Sequence, residues 1–366
     1  MTALISRRGL NRATLARQLL LERSDMPLLD AVEHLVGLQA QTTHTWYHGL
    51  WTRLNGFDPH ALSQLLADRE VVRMVLMRST IHLVTARDSL ALRPVLQIVS
   101  ERSTASVYGR NIPDLDKDEL IAEGRRLLDE KPMTFTELGQ RMAERWPGRD
   151  EHSLAYSVRA WVPLIQIPPR GLWGGSGQAV HSTVETWLGS PVDAEPDVER
   201  LVLRYLSAFG PASVKDAQVW SGLTRLAEVF DRLRPELVTF TDENGRELFD
   251  LPDAPRPDES RPAPVRYLYD FDNLLLSHDD RSRVLVDYQQ QRPRNGMLPR
   301  LFLVDGFTTG WWTVEQGKDK AVLVVHPYRP LLKKEASALA KEGKPLLEFV
   351  APGLAHDIRF DQLVSG

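Results

Sequence analysis

The sequence contains no cysteine, which limits its chemistry at once. Disulfide bonds, thiolate catalysis and cysteine-ligated zinc or iron–sulfur sites are excluded. The N-terminus also lacks an apolar stretch long enough for a signal peptide, and no uninterrupted apolar run could cross a bilayer. We therefore expect a cytoplasmic protein with no membrane partner.

An excess of positive charge is also missing, since the formal net charge is −4. This balance argues against nonspecific coating of nucleic acid but leaves room for a local basic face. Arginine is concentrated in residues 1–24 and 281–300, and the first lysine is Lys117. Either a biased genome composition or selection for phosphate contacts explains this pattern, and the bias is the simpler explanation.

With 366 residues, 42% hydrophobic and 26% charged, the chain is an ordinary globular protein that can hold more than one domain. The order of predicted elements repeats. Three groups of helices are each followed by a β-rich hairpin, which is the winged-helix plan. The predicted helices cover 11–23, 27–36 and 57–68; 116–130, 134–145 and 151–161; and 198–209, one capped by Ser213, and 224–233. The predicted hairpins cover 71–77 with 81–84, 164–167 with 171–174, and 237–240 with 247–249.

A proline-rich linker at 252–264 separates these repeats from a second kind of segment. Strand-like runs follow at 265–269, 284–288, 301–304, 310–315 and 321–325, with a closing helix at 333–341. The sequence thus predicts an α+β fold with three tandem winged-helix units and a small β-rich C-terminal domain. The expected boundaries are 1–110, 111–190, 191–255 and 263–366, with the glutamine pair described next in the first unit.

Gln39 and Gln41 follow an amphipathic helix that Gly37 is expected to end. In extended backbone, side chains two residues apart point to the same side, whereas in a helix they would diverge by about 200°. A primary amide offers an acceptor oxygen and two N–H donors and does not titrate near neutrality. Such a pair can orient a water for a reaction whose leaving group is already activated. By itself, however, the pair looks like any two glutamines on a polar surface.

Other polar groups allow two interpretations each. His44 and His48 have the i, i+4 spacing of helical zinc ligands, but no third ligand is evident, so we expect no metal. Polar or DNA-facing roles are the alternative for His48. Arg78, in the turn of the first predicted hairpin, could grip a phosphate or belong to a solvated turn. We expect His278-Asp279-Asp280 to hold the β-rich domain together, with Asp270 and Asp272 bonded within it.

A polar hairpin between two strand candidates is the second stretch that could bind DNA. Arginine, glutamine and asparagine are side chains that contact minor-groove edges. A solvated surface hairpin is the alternative. The candidate DNA-binding residues are Gln291, Arg292, Arg294 and Asn295.

Seven stretches resemble the winged-helix DNA glycosylase family, which includes azinomycin-resistance and bacterial crosslink-repair glycosylases, and the resemblance covers nearly the whole chain. They are 37–41 followed by 46–54, then 77–84, then 269–273 with 277–281, then 303–307, and finally 310–311. The family motif is a glutamine, an apolar residue, and then glutamine or aspartate. The glutamine form found here is similar to the azinomycin-resistance branch.

The resemblance implies an enzyme that hydrolyses the N-glycosidic bond of N7-alkylated guanine and leaves an abasic site. Gln39 and Gln41 would hold the attacking water, and Arg78, His48 and the 289–295 hairpin would contact the duplex. It implies no cofactor, no strand cleavage, and a monomer acting on double-stranded DNA, with crosslinks from an alkylating natural product as one substrate. The rival from another class is a winged-helix regulator that binds DNA without catalysis.

Overall fold

The computed structural model describes residues 3–286 and 299–361. Short groups of helices and strands alternate through them, and the predicted α+β class is confirmed. The α-helices of this part of the chain are α1 (Arg7–Arg17), α2 (Leu28–His34), α3 (Thr45–Trp51), α4 (Pro59–Ala67), α5 (Ala86–Val95), α6 (Gln97–Tyr108), α7 (Lys117–Glu130), α8 (Phe135–Arg145), α9 (Glu151–Trp161), α10 (Val184–Leu188), α11 (Val198–Phe209), α12 (Val214–Ser221), α13 (Ala227–Leu233), α14 (Asn273–Leu276) and α15 (Lys333–Val350).

The strands form three sheets within the described residues. Their bounds are β1 (Ala3–Ile5), β2 (Leu38–Gln39), β3 (Val71–Val75), β4 (Ile81–Thr85), β5 (Met133–Thr134), β6 (Leu164–Ile167), β7 (Val180–Thr183), β8 (Val238–Asp242), β9 (Glu247–Asp250), β10 (Arg266–Tyr267), β11 (Leu301–Val304), β12 (Phe307–Gln316), β13 (Lys320–Pro327) and β14 (Ala355–Phe360). The strand orders are β2-β4-β3-β6-β7-β5, β1-β8-β9 and β10-β11-β12-β13-β14.

Local capping signals place several helix starts where the sequence predicts them. Asp58 accepts a hydrogen bond from the backbone N–H of His60, and Pro59 is the first residue of α4. Ser213 and Asp216 form a reciprocal capping box at the start of α12. These starts depend on contacts within three residues, so the sequence alone is sufficient to predict them.

The first predicted hairpin and the first strand of the second lie in one sheet, because β3 pairs with both β4 and β6. The third predicted hairpin, β8 with β9, gains a parallel neighbour in β1, which the sequence did not indicate. Among the described strands, β2 lies at an edge of the six-stranded sheet and pairs with β4. The glutamine pair is therefore attached to the first hairpin.

Several predicted elements were wrong or incomplete. The partner of β6 is β7, not residues 171–174, which lie in a turn. Val284 is buried in an apolar cluster after a 3-10 turn and does not begin a strand. Helix α1 begins and ends about five residues earlier than expected, since Ser6 caps it and Leu19 adopts a left-handed φ of 55°. Helices α5 and α6 and strand β14 were not predicted.

The largest apolar cluster packs α12 against the first hairpin. Trp220 and Tyr205 lie in it with Met74 and Met77 from β3 and its following turn, and with Val99 from α6. All five side chains are at most 7% exposed. This packing brings the C-terminal end of α12 next to the β3–β4 turn.

Buried ion pairs connect the N-terminal helices to later parts of the chain. Arg53 makes a bidentate pair with Asp272, at 2.6 and 2.9 Å, and Arg17 makes one with Asp250, at 2.7 and 2.8 Å. All four side chains are fully buried. Asp272 also accepts a hydrogen bond from the backbone N–H of Leu274 at 3.0 Å, so it makes the expected internal bond in addition to the pair with Arg53.

The stretch after Asp272 makes the same kind of connection. A ring nitrogen of His278 bonds to the carbonyl oxygen of Phe209, and the N–H of Asp279 donates to the carboxylate of Asp216. These bonds join the C-terminal part to α11 and α12 rather than holding that part together internally. In the described ranges, no helix combines the length and apolar character needed to cross a membrane.

Replacing Arg53 with leucine is expected to lower the free energy of unfolding by about 3–5 kcal/mol, because Asp272 would keep a buried charge without its partner. Urea denaturation followed by circular dichroism measures this change. The double variant Arg53→Leu/Asp272→Leu should lose less, since both charges are gone. An Arg359→Ala variant, which removes an exposed pair with Glu315, is the control and should change little. Equal losses in the single and double variants would contradict the ion-pair explanation.

Candidate active site

The glutamine pair follows a sharp change from helix to strand. Helix α2 ends at His34, and Val36 and Gly37 have left-handed φ values of 53° and 79°. Extended backbone begins at Leu38, where Gln39 pairs with His82 across the β2–β4 ladder. The prediction that the helix must end near Gly37 is confirmed.

Only glycine fits at position 37. A Cβ atom there would lie 2.5 Å from Cγ1 of Val84 and 2.6 Å from the carbonyl oxygen of Leu83. The positive φ adds a second reason, because a residue with a Cβ is strained in this region. The close approach lets the chain after α2 lie directly on β4.

A segment of the C-terminal part fixes this turn from the other side. The Asn273 side-chain amide donates to the carbonyl oxygen of Gly37 at 2.8 Å. The Tyr269 hydroxyl donates to the backbone carbonyl oxygen of Gln39 at 3.2 Å. Both donors are buried. Three of the stretches that carry the family resemblance, 37–41, 77–84 and 269–273, therefore meet at one place.

Gln39 bonds to the β3–β4 turn, and Gln41 bonds to the first residue of β4, directly after that turn. Oε1 of Gln39 accepts a hydrogen bond from Nη2 of Arg78 at 2.6 Å. Oε1 of Gln41 accepts one from the backbone N–H of Ile81 at 3.3 Å. Gln39 is 4% exposed, whereas Gln41 is exposed. An amide oxygen has two lone pairs, so each side chain keeps acceptor capacity for a water.

Arg78 points inward from a strained turn. Arg78 and Ser79 have consecutive left-handed φ values of 55° and 57°. Nη1 of Arg78 donates to the carbonyl oxygen of Trp220 at 2.6 Å, so the guanidinium bridges Gln39 and the end of α12. Burial lowers the pKa of Arg78 to about 10, which leaves it protonated at neutral pH. The solvated-turn interpretation of Arg78 is therefore wrong, and its contact with DNA stays a prediction.

His82 lies beside this pair in its neutral form. Its ring is 2% exposed, and Nδ1 lies 2.9 Å from the carbonyl oxygen of Thr80. Burial, together with the positive charge of Arg78, lowers the pKa of His82 to about 3. Sequence reasoning missed His82, because the register that places it opposite Gln39 depends on a long-range pairing.

His44 and His48 do not converge. His44 precedes α3 with a left-handed φ of 71°, and its Nε2 lies 2.8 Å from the carbonyl oxygen of Leu172. His48 is 5% exposed, with its ring against Trp51 and edge-on to Trp312. Burial lowers the pKa of His48 well below its usual value. The DNA contact of His48 stays a prediction that this buried position does not favour.

Gln291, Arg292, Arg294 and Asn295 lie outside the described residues, so their expected DNA contacts stay predictions. Across residues 3–286 and 299–361, no three histidine, aspartate or glutamate side chains are grouped so that they could hold a metal ion.

Comparisons with known proteins give one consistent family. The family model described as "DNA glycosylase AlkZ-like" matches residues 32–349. The interstrand DNA cross-link repair glycosylase of Streptomyces sahachiroi is 23% identical over 357 residues, which is 89% of this chain and 92% of that protein. The solved structure of the Streptomyces sahachiroi DNA glycosylase AlkZ matches with a TM-score of 0.78 and 22% identity, covering 99% of this chain and 100% of that one. The structural match establishes the fold.

Replacing Gly37 with alanine is expected to destabilise the protein more than replacing Gly56. Both glycines have left-handed φ values, so both variants bear the roughly 1–2 kcal/mol cost of that conformation. Only Gly37 has atoms within contact distance of the added Cβ, whereas Gly56 has none within 4 Å. Urea denaturation of Gly37→Ala, with Gly56→Ala as the matched control, measures the difference. Equal losses would mean that β2 does not need this close approach.

Proposed function

Since the chain belongs to the AlkZ-like DNA glycosylase family, we propose that it hydrolyses the N-glycosidic bond of N7-alkylated guanine in double-stranded DNA. The proposal depends on one observation above all: Gln39 bonds to Arg78 in the β3–β4 turn, and Gln41 bonds to Ile81 at the start of β4, three residues further on. Two amide side chains held together in this way, with one of them exposed, can bind a water between them. Their placement in the stretches that carry the family likeness supports the catalytic role.

The chemistry of the lesion explains why amides are sufficient. Alkylation at N7 gives the base a formal positive charge, so the departing electron pair neutralises it and little acid assistance is needed. Water attacks C1′, the C1′–N9 bond breaks, and a proton of the water is lost to solvent. The enzyme supplies position and charge complementarity where oxocarbenium character develops at C1′. Gln39 and Gln41 orient the water through the free lone pairs of their amide oxygens.

The proposed enzyme is monofunctional and leaves an intact abasic strand. Strand cleavage by a glycosylase would need an amine nucleophile. In the described part of the chain, the side-chain oxygens of Gln39 and Gln41 bond to Arg78 and to the backbone of Ile81, and no lysine precedes Lys117. No cofactor enters this reaction.

We also propose that the substrate includes interstrand crosslinks, such as those made by an alkylating natural product, which would give the host resistance to its own compound. A crosslinked guanine is tethered to the opposite strand and cannot rotate freely into a pocket, as flipped bases do. The exposed position of Gln41 favours a reaction on the duplex surface. The name of the Streptomyces sahachiroi relative, an interstrand cross-link repair glycosylase, is consistent with this substrate.

We propose in addition how the chain is divided into domains and how they contact DNA. Residues 1–110, 111–190 and 191–255 would each form a winged-helix unit that contacts the DNA backbone, and 263–366 would form the C-terminal domain. The repeated order of helices followed by the β3–β4, β6–β7 and β8–β9 pairs supports this division. The 289–295 hairpin would enter the minor groove. The protein would act as a monomer in the cytoplasm.

Replacing either glutamine with alanine is expected to slow release of 7-methylguanine by on the order of 10²-fold or more, as when one aligned polar group is removed from a transition state. The measurement uses a duplex with one N7-methylguanine, heated in alkali to cut abasic sites. Gln64→Ala, which removes an exposed glutamine on α4, is the matched control and should keep full activity.

Strand breaks that appear without alkali would contradict the monofunctional assignment. Release by the wild type from a crosslinked duplex alone would restrict the substrate to crosslinks. Release from neither substrate would contradict the proposed substrate class.

The excision rate is expected to be flat between about pH 5 and pH 9, unlike the bell-shaped profile of a general acid–base pair. Glutamine does not titrate, and His82, with a pKa of about 3, stays neutral above about pH 5. Arg78 loses its proton only as the pH rises through about 10, so it remains a charged donor across this range. Single-turnover rates, corrected for release without enzyme, measure the profile. A rate that changes tenfold per pH unit within this window would show that a titrating group takes part.

A further inference from the structure

We infer that Arg78 is a positioning residue: its guanidinium fixes the orientation of the Gln39 amide by joining it to the end of α12. The expected effect of Arg78 on the excision rate rests on the proposed function. The inference departs from the expected role of Arg78 as a phosphate contact. The observations that carry it are two short hydrogen bonds and the strained backbone of the turn.

The hydrogen bond itself determines which way the Gln39 amide points. Arginine carries only donors, so the atom of Gln39 that lies 2.6 Å from Nη2 must be the acceptor oxygen. The amide cannot turn over without placing its N–H₂ group against a cation. One lone pair of Oε1 is thereby used, and the other keeps a fixed direction in which a water can be held.

The second anchor lies in another part of the chain. Nη1 donates at 2.6 Å to the carbonyl oxygen of Trp220, in the last turn of the eight-residue helix α12. The C-terminal end of a helix carries partial negative charge, which favours a cation there. The fork of the guanidinium thus spans two acceptors that are 181 residues apart in sequence, Gln39 and Trp220.

The guanidinium of Arg78 bonds to neutral acceptors, as do those of the buried Arg73, Arg93 and Arg283. Arg17 and Arg53 each face a buried carboxylate, whereas Arg78 forms no ion pair with any described residue. A buried cation without a carboxylate is costly, which is consistent with the lowering of its pKa by burial. What distinguishes Arg78 from those three arginines with neutral acceptors is that one of its acceptors is the side chain of Gln39, a member of the glutamine pair.

The backbone of the turn is strained in a way that serves the same contact. Two consecutive residues with side chains, Arg78 and Ser79, adopt left-handed φ values. Opposite them, a Cβ at Gly222 would lie 3.4 Å from N and Cα of Arg78. Strained conformations persist where the surroundings determine them, and they are concentrated at functional sites.

A lysine could not take over this role. Its single nitrogen is a point donor on a flexible stem, whereas the planar guanidinium can meet two acceptors at once. Arg78→Lys keeps the charge and removes the fork, and Arg78→Met removes both. Arg102→Ala is the matched control, because Arg102 is an exposed arginine on the neighbouring helix α6 whose bond goes to the Thr224 hydroxyl.

The kinetic test separates positioning from phosphate contact. With the full chain and a 7-methylguanine duplex, Arg78→Met should lower the single-turnover rate at saturating enzyme by about 10- to 100-fold, the value of one charge-assisted hydrogen bond. The dissociation constant for the duplex should stay within about twofold, since few phosphate contacts change. Arg78→Lys should remain well below wild type, and Arg102→Ala should keep the wild-type rate. A weaker dissociation constant with an unchanged saturating rate would overturn the inference.

A double-mutant cycle tests whether Arg78 acts through Gln39. If it does, Arg78→Met adds no further loss to Gln39→Ala, because the group that it positions is already absent. If the two losses multiply, Arg78 acts independently and the inference is wrong. Circular dichroism and urea denaturation of each variant exclude unfolding as the cause of lost activity.

A readout that does not require activity keeps the inference testable if the proposed substrate fails. In ¹⁵N-labelled full-length protein, the Gln39 side-chain amide signals are identified by their disappearance in Gln39→Ala. Arg78→Met should shift them towards the values of a free amide, and Arg102→Ala should leave them in place. Unchanged Gln39 signals in Arg78→Met would reject the positioning role. A wild-type protein without excision activity would reject the proposed function alone.

Discussion

The arrangement of the site depends on one constraint, the close contact between Gly37 and β4. The chain leaves α2 through two left-handed residues and reaches the edge of the sheet with no room for a side chain at position 37. From there the register places Gln39 opposite His82. The hydrogen bond from Asn273 to the Gly37 carbonyl oxygen then secures the turn. A shift of one residue at this point would move Gln39 to the other face of the strand.

Polar contacts across long sequence separations assemble the site as much as apolar packing does. Tyr269 and Asn273 reach β2 from the C-terminal part, and Asp272 between them pairs with Arg53 directly after α3. Buried ion pairs are specific in geometry because each charge needs its partner in place. The position of the glutamine pair therefore depends on contacts from distant parts of the chain, and changes in the C-terminal part can displace it.

The sequence was sufficient for the parts of the fold that depend on local contacts. The bounds of α9 and α11 coincide with their predicted ranges, and β8 and β9 pair as the predicted hairpin of 237–240 with 247–249 requires. Helices α5 and α6 were missed, since Pro94 lies inside α5 and α6 has little apolar periodicity. The pair of Gln39 and Gln41 was identified from the family resemblance and from their two-residue spacing, which suits a strand. The hydrogen bonds that the two side chains make were not predicted. Whether Arg78 turns inward to Trp220 or outward to solvent depends on tertiary packing that no local pattern encodes.

The half-buried cation at Arg78 explains why an amide suits position 39 better than a carboxylate would. A carboxylate 2.6 Å from a guanidinium would form an ion pair, and its charge would be directed at Arg78 rather than at a water. An amide oxygen can accept one hydrogen bond from Arg78 and a second from the water, and its protonation state does not change. A lesion that already carries positive charge needs no acid to leave, so the site loses little by lacking a titrating group. The protein must still orient the attacking water. The hydrogen bonds from Arg78 to Gln39 and to the end of α12 fix the direction of the amide that does so.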